Sequence, residues 1–415
     1  MKRIWIAALG LAIVVAGGRV TALAAPTAVA DGTAYAARIN AGHNNLTAGP
    51  IAPASLSCDT KPATDQNSVA TITLAPIVSS SGTASDMVTS SYGSTTVAVQ
   101  SSSVTQGADV LSGTITATTV QAVANSGLSN GTASSNANGS MFVGLTVAGQ
   151  SFSGTPAPNT RIRLAGLGTV TLNEQVTSRN HSVATGIIVN MIHVRITQSN
   201  GFGLPVGADI IVGHADSSIA TPPVPITLDA SSYALLGTGL AGSGSVKSGP
   251  WAPARIPCTG GNASDSLLSV TLPFATLGTM ADTASGQITS TGSSASAQAQ
   301  VQNVNVLAGL ISASAITTDA AVTLDGSPTR SGSVSIVDGS IAGTPISSSP
   351  PPNTTVNIAG LGYVVLNEQR GSLGRQSAKI VVNAIHLVVT TSNSLGLPVG
   401  ANVIIANATA GAKHF

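Results

Sequence analysis

The chain carries the same text twice, and this duplication constrains its fold more than any other feature. Residues 158–175 read PNTRIRLAGLGTVTLNEQ and residues 352–369 read PNTTVNIAGLGYVVLNEQ, with twelve of eighteen positions identical. The correspondence continues on both sides. VNMIHV at 189–194 returns as VNAIHL at 382–387, GLPVGADIIV at 203–212 as GLPVGANVII at 396–405, and GPIAPASLSC at 49–58 as GPWAPARIPC at 249–258. A period of roughly 190 residues is far too long for a solenoid repeat. It matches one domain with its own core. The chain is therefore read as two tandem copies, 31–220 and 227–415, joined by a linker at 221–226 that contains Pro222, Pro223 and Pro225.

Residues 1–30 read as a secretory signal peptide. Lys2 and Arg3 precede an apolar run at 4–15, and small-residue cleavage motifs follow at Ala22-Leu23-Ala24 and Ala28-Val29-Ala30. No later apolar stretch reaches membrane-spanning length, and no hydrophobic C-terminal tail is present. The expected location is secreted, with the mature chain either soluble or non-covalently associated with the cell surface.

Charged residues make up 7% of the chain and the net charge is +1, against about 25% charged residues in ordinary domains. Without a basic stripe, nucleic acid is not an expected partner. Aromatic residues are 3%, too few for an extensive stacking surface. A near-neutral surface opposes self-association only weakly.

The periodicity is that of strands. Residues 169–176 alternate branched and polar side chains, and no helix-length apolar stripe appears beyond the leader. Residues 187–196 (IIVNMIHVRI) are apolar at both parities. This predicts a strand buried on both sides, with Asn190 on one face and His193 on the other. Residues 90–125 and 283–323 read as long Ser/Thr-rich strands, with hairpin turns within 110–115 and 306–311, and 126–140 reads as loop. The expected fold is all-β, two homologous sandwich-like domains in tandem.

The AGLGxVxLNEQ segment, followed by VNxIH and a GAxII strand, resembles the choice-of-anchor P family of bacterial exported surface proteins. The resemblance occurs in both copies, at 166–175 with 190–194 and at 360–369 with 383–387. It implies an exported surface role and supplies no catalytic residues.

The repeated polar positions are Glu174 and Glu368, Asn190 and Asn383, and His193 and His386. A Glu–His pair suits acid–base work or metal binding. The expectation here is structural, because the pair recurs on apolar strands and no third ligand recurs: His214 is matched by Asn407. No catalytic residue, metal or cofactor is expected. Gly127-Leu128-Ser129-Asn130-Gly131 spells a nucleophile elbow but lacks the strand–turn–helix context. Cys58 and Cys258 are equivalent positions. Two free, buried thiols are the plainer expectation. A disulfide between domains or chains is the alternative, since export permits one.

These features describe a structural or interaction protein of the bacterial cell surface or extracellular matrix. It would associate with itself through strand edges, by head-to-tail contacts that can grow into filaments, or with cell-envelope components. An adhesin or ligand-binding module using its end loops is the alternative, and a secreted hydrolase is a remote one.

Overall fold

The computed structural model describes residues 28–40, 48–74, 76–178, 183–221, 225–238, 247–272, 274–395 and 397–414. The leader at 1–27 and linker residues 222–224 lie outside the described residues. The protein is all-β, and its sheets are antiparallel. Among the described residues no helix is long and apolar enough to cross a membrane.

The main strands of copy one are β1 (Val29–Asn40), β2 (Ala84–Tyr92), β3 (Thr96–Val110), β4 (Ile115–Ser129), β5 (Gly168–Ser178), β6 (Val183–Ile196) and β7 (Asp209–Ala220). Those of copy two are β8 (Ile226–Thr238), β9 (Met280–Ile288), β10 (Ser293–Val306), β11 (Ile311–Leu324), β12 (Gly362–Gly374), β13 (Ser377–Val389) and β14 (Asn402–His414). The first sheet of copy one runs Thr160–Leu164, β5, β6, β7, β1, and then the short strands Ala48–Ile51 and Ala54–Asp59. The second sheet contains Ala63–Val69, β2, β3 and β4. Copy two repeats the plan. Its first sheet runs from Thr354–Ile358 through β12, β13, β14 and β8 to Lys247–Trp251, and its second centres on β9, β10 and β11. In each copy the first and last strands are partners: Val29 pairs with Ala220, and Ile226 with His414.

The two sheets of each copy face one another across a core. In β3 the inward residues Val97, Val99, Ser101, Ser103 and Thr105 are all buried, and the alternating Thr96, Ala98 and Gln100 are exposed. This is the period-two pattern of a half-buried strand. Hydroxyls join the layers: Ser103 donates to Tyr35 O (3.1 Å), Ser126 to Ser217 O (3.0 Å) and Thr318 to Ala406 O (3.1 Å).

One acid lies inside each core at the same place. Asp86 on β2 and Asp282 on β9 are 2% and 1% exposed, and neither carboxyl has a hydrogen-bond partner among the described residues. Burial pushes Asp86 up to about 8 and Asp282 up to about 9. Both are held neutral, because a lone carboxylate is poorly solvated in an apolar interior.

Three expectations are corrected. β1 starts at Val29, so the boundary at residue 30 cuts into a strand; Val29 and Ala30 are fully buried. The expected loop at 126–140 contains the end of β4 and the strand Thr132–Asn136. Its turn is Asn130-Gly131, both with positive φ (49° and 78°), the usual chemistry of a two-residue hairpin. The cysteines are not free: Cys58 and Cys258 form a disulfide with Cα atoms 5.3 Å apart.

The disulfide marks the joint between copies. Beside it the Arg255 guanidinium of copy two pairs with Asp31 of copy one, Nη2 to Oδ2 at 2.9 Å. Toward the other end of the joint, Arg38, Asn40 and Pro50 line a small cleft together with Pro250, Trp251 and Ala252. Equivalent segments thus meet along their length, so the copies lie side by side with like strands running in the same sense. This is an isologous contact within one chain.

Candidate functional site: a polar ladder on the first sheet

The repeated LNEQ motif can be explained letter by letter. Leu172 points into the core and is fully buried. Asn173 adopts φ +50°, a left-handed conformation that Asn tolerates better than most side chains. Its amide donates to Pro156 O (2.9 Å) and accepts from Gln175 Nε2 (2.9 Å). Glu174 is thereby delivered to the outer face. Asn367 repeats this with φ +47°, Pro350 and Gln369.

The irregularity crosses the sheet. Gly213 on β7 has φ +71°, and a Cβ there would lie 2.8 Å from Val120 Cγ1. On β6 both Met191 and Ile192 face the core and are fully buried. Alternation therefore slips by one residue between Asn190 and His193. The expectation that they lie on opposite faces is corrected: both lie on the outer face, and both hydrogen-bond Glu174 Oε2. The strand is not buried on both sides either, since Ile188 is 39% exposed.

In copy one the result is a continuous ladder across β5, β6 and β7. Asn190 Nδ2 donates to Glu174 Oε2 at 2.7 Å, and His193 Nδ1 lies 2.8 Å from the same oxygen. His193 Nε2 is 3.1 Å from Asp209 Oδ1, which also accepts from Arg195 Nε at 3.1 Å. On the other side His214 Nδ1 is 2.6 Å from Asn190 Oδ1, and its Nε2 is 3.1 Å from Asp216 Oδ2. Tyr35 stacks on His214 with ring centroids 4.2 Å apart. Burial pushes the Tyr35 hydroxyl up to about 12.

The electrostatics follow from these partners. Hydrogen bonds to Asp209 and then Glu174 raise His193 to about 9, outweighing its burial. The bond to His193 holds Glu174 below its ordinary range. Burial pushes Asp209 the other way, but His193 and Arg195 prevail and lower it. His193 is an imidazolium donating from both nitrogens. It has no lone pair left for a metal and is no general base at neutral pH.

Copy two keeps the hub and changes its surroundings. Asn383 Nδ2 donates to Glu368 Oε2 (2.6 Å), and His386 Nδ1 lies 2.9 Å from that oxygen. His386 Nε2 faces Asn402 Oδ1 at 3.1 Å. Asn407 Nδ2 donates to Asn383 Oδ1 (2.7 Å), and Arg370 pairs with Glu368 Oε1. Burial opposes ionisation of Glu368, but Asn383 and Arg370 keep it below its ordinary range.

The structure thus brings together all six repeated positions, three in each copy. The sequence reading missed Arg195, Asp209, Asp216, Tyr35, Arg370 and Asn402. The repeated GAD/GAN at 207–209 and 400–402 was the available signal for Asp209 and Asn402. Among the described residues one trio of ligand type converges, Asp31, Cys58 and Cys258, and its sulfurs are bonded to each other. A shallow trough over the second sheet of copy two is lined by Asn262, Ser264, Thr283, Ser285 and Ser296. Its acid, Asp319, already accepts from Gln298 Nε2 at 2.7 Å. No protein-family model matches the chain, and no curated protein matches it.

Proposed function

We propose that the chain is a secreted structural and interaction protein of the bacterial cell surface or extracellular matrix, acting through shape and strand edges and not through a reaction. The observation that carries this reading is the saturated ladder. In both copies every ring nitrogen of the repeated His faces an acceptor, and one oxygen of the repeated Glu accepts from both the repeated His and the repeated Asn. Such a network fixes strand register and spends the repeated side chains on one another. The resemblance of the repeated motif to exported surface proteins points the same way, and an inter-copy disulfide suits an oxidising compartment.

The joint occupies one edge of each first sheet. The outer edges are Thr160–Leu164 and Thr354–Ile358, on opposite flanks. Arg161 and Arg163 are exposed on the first, where charge deters strand addition. Thr355 and Asn357 hold the equivalent places on the second, so copy two carries the open edge. A neutral edge meeting its own copy closes a two-fold dimer, whereas a head-to-tail contact would grow a filament. Sedimentation of the full chain over a wide concentration range, at low and high salt, tests this. The expected outcome is a salt-resistant dimer that is lost in the Thr355→Lys, Asn357→Lys double variant. A monomer at every concentration removes the edge contact from the account.

A further inference from the structure

The sequence contains no basic run, but the fold assembles a basic stripe on the outer face of the first sheet of copy one. Two neighbouring rows of that face cross five strands. One row reads Arg161, Thr171, His193, Ile211 and Arg38, and the other Arg163, Thr169, Arg195, Asp209 and Asn40. Residues opposite one another in an antiparallel ladder share a face. Four guanidiniums and the His193 imidazolium therefore stand on these rows with one carboxylate, Asp209, and Glu174 lies one row beyond. One oxygen of each carboxylate is taken: Asp209 Oδ1 by Arg195 Nε and His193, and Glu174 Oε2 by Asn190 and His193. Asp216 lies further along, beside His214. Past Arg38 the face meets the cleft between the copies, whose acid is Asp265.

Copy two has the same two rows and none of these arginines. Thr355, Asn357, Val388 and Leu236 stand where copy one has Arg161, Arg163, Arg195 and Arg38, and Asn402 stands for Asp209. The whole chain has 16 Lys and Arg, so their gathering on this face is an addition that the repeated scaffold does not need. Edge protection accounts for Arg161 and Arg163, but Arg195 lies two strands further in and Arg38 four. The Arg195 side chain is 61% exposed. Arg161 and Arg163 are exposed and have no hydrogen bond or ion pair among the described residues. Arg38 is half-buried against the Tyr35 hydroxyl.

Within each row the cations sit on alternate strands, about 10 Å apart, which is two strand spacings. Thr169 and Thr171 lie between them. A guanidinium takes a carboxylate through two parallel hydrogen bonds. The matching partner is a linear polyanion with carboxylates at that interval and hydroxyls between, which describes an extended polysaccharide with acid on alternate sugars. Nucleic acid is a poorer match. Each DNA strand carries a charge about every 3.4 Å, and these rows contain no aromatic ring for a base to stack on. We propose that this face binds an acidic polysaccharide of that kind, laid across the strands from the Arg161 edge toward the joint. The proposal rests on the interaction role put forward above and gives that role a partner.

The test is binding of the full chain to immobilised hyaluronan, whose carboxylates fall on alternate sugars, at low and high salt. Binding should weaken as salt rises, because exposed charges carry it. Sedimentation reports the salt-resistant strand-edge contact independently, so failure of one reading is told from failure of the other. Arg195→Val, which installs the copy-two residue, and Arg163→Asn should each weaken binding about tenfold, the worth of one charge-assisted hydrogen-bonding pair. Arg195→Lys should recover part of the loss. Arg163 has no partner to lose, so an unchanged thermal melt of Arg163→Asn shows that its effect is on binding and not on folding. Wild-type protein that fails to bind hyaluronan, or binds uncharged dextran equally, overturns the proposal, as do variants that bind like wild type. So does tighter binding to duplex DNA at equal charge concentration, which would assign the stripe to nucleic acid.

Discussion

Copy one and copy two hold the same hub in different electrical settings. Around Glu174 stand His193, Asp209, Arg195, His214 and Asp216. At the equivalent places around Glu368 stand His386, Asn402, Val388, Asn407 and Thr409, with Arg370 added from β12. The hydrogen-bond polarity is unchanged. His214 Nδ1 donates to Asn190 just as Asn407 Nδ2 donates to Asn383. The geometry therefore requires donors and acceptors in fixed places. Charge is a local addition, and in copy one it raises His193 and lowers Asp209.

The largest test of that contrast is removal of the hub where it is most buried. Glu368→Ala leaves Asn383, His386 and Arg370 without their shared acceptor and should cost about 3–4 kcal/mol. Trp251, buried in copy two, reports the loss in a denaturant titration. Glu174→Gln retains one acceptor oxygen in a more exposed hub and should cost less, about 1–3 kcal/mol. Equal costs would mean that the two hubs are equally sealed.

The next effect is pH dependence. His193 is raised when folded, so its stabilisation is complete below its ordinary 6.5 and drains away as pH climbs through about 9. Glu174 is lowered, so its share is present above its ordinary 4.5 and disappears on acidification. The copy-one ladder is strongest between these limits, and the alkaline loss should be roughly 2–3 kcal/mol. Asp209→Asn, which gives copy one the copy-two residue, should remove much of it. Amide exchange on β6 against β13, followed from mildly acidic to alkaline pH, measures this directly. Identical profiles in wild type and variant would deny His193 its role.

A smaller effect separates the cores. Asp282→Ala should stabilise copy two by about 1–2 kcal/mol at neutral pH, because it removes a buried group without a partner. Asp86→Ala should gain less, since burial raises Asp86 less far than Asp282. Both acids are raised when folded, so each costs stability as pH rises from their ordinary 3.8 toward 8 or 9. Thermal melts of the two variants should rank them in that order.

Much of this was legible in the text. Duplication, all-β character and the Glu–His positions follow from repeated residues and two-residue periodicity. The face shared by Asn190 and His193 was not legible, because periodicity assumes unbroken alternation and the slip at Met191–Ile192 depends on Asn173 and Gly213 in neighbouring strands. The hairpin at Asn130-Gly131 was legible from that dipeptide alone. The disulfide was not: one cysteine per copy says nothing about how the copies pack, and only a side-by-side joint brings Cys58 to Cys258. The buried acids were hidden because the text around Asp86 (TASDMVTS) and Asp282 (TMADTASG) has diverged.

The placement of the disulfide also decides how the molecule would bear tension. Cys58 lies in the short strand Ala54–Asp59 that pairs with β1, and Cys258 lies at the same point of the second copy, 200 residues later. A pull applied at Val29 and at His414 travels along the backbone to Cys58, crosses the sulfur bridge and continues from Cys258. The intervening residues, which include most of the first sandwich and the proline linker, form a closed loop outside that line. Their covalent chain cannot be drawn out while the bridge is intact, and they feel the pull only through the ladders that join Val29 to Ala220 and His414 to Ile226.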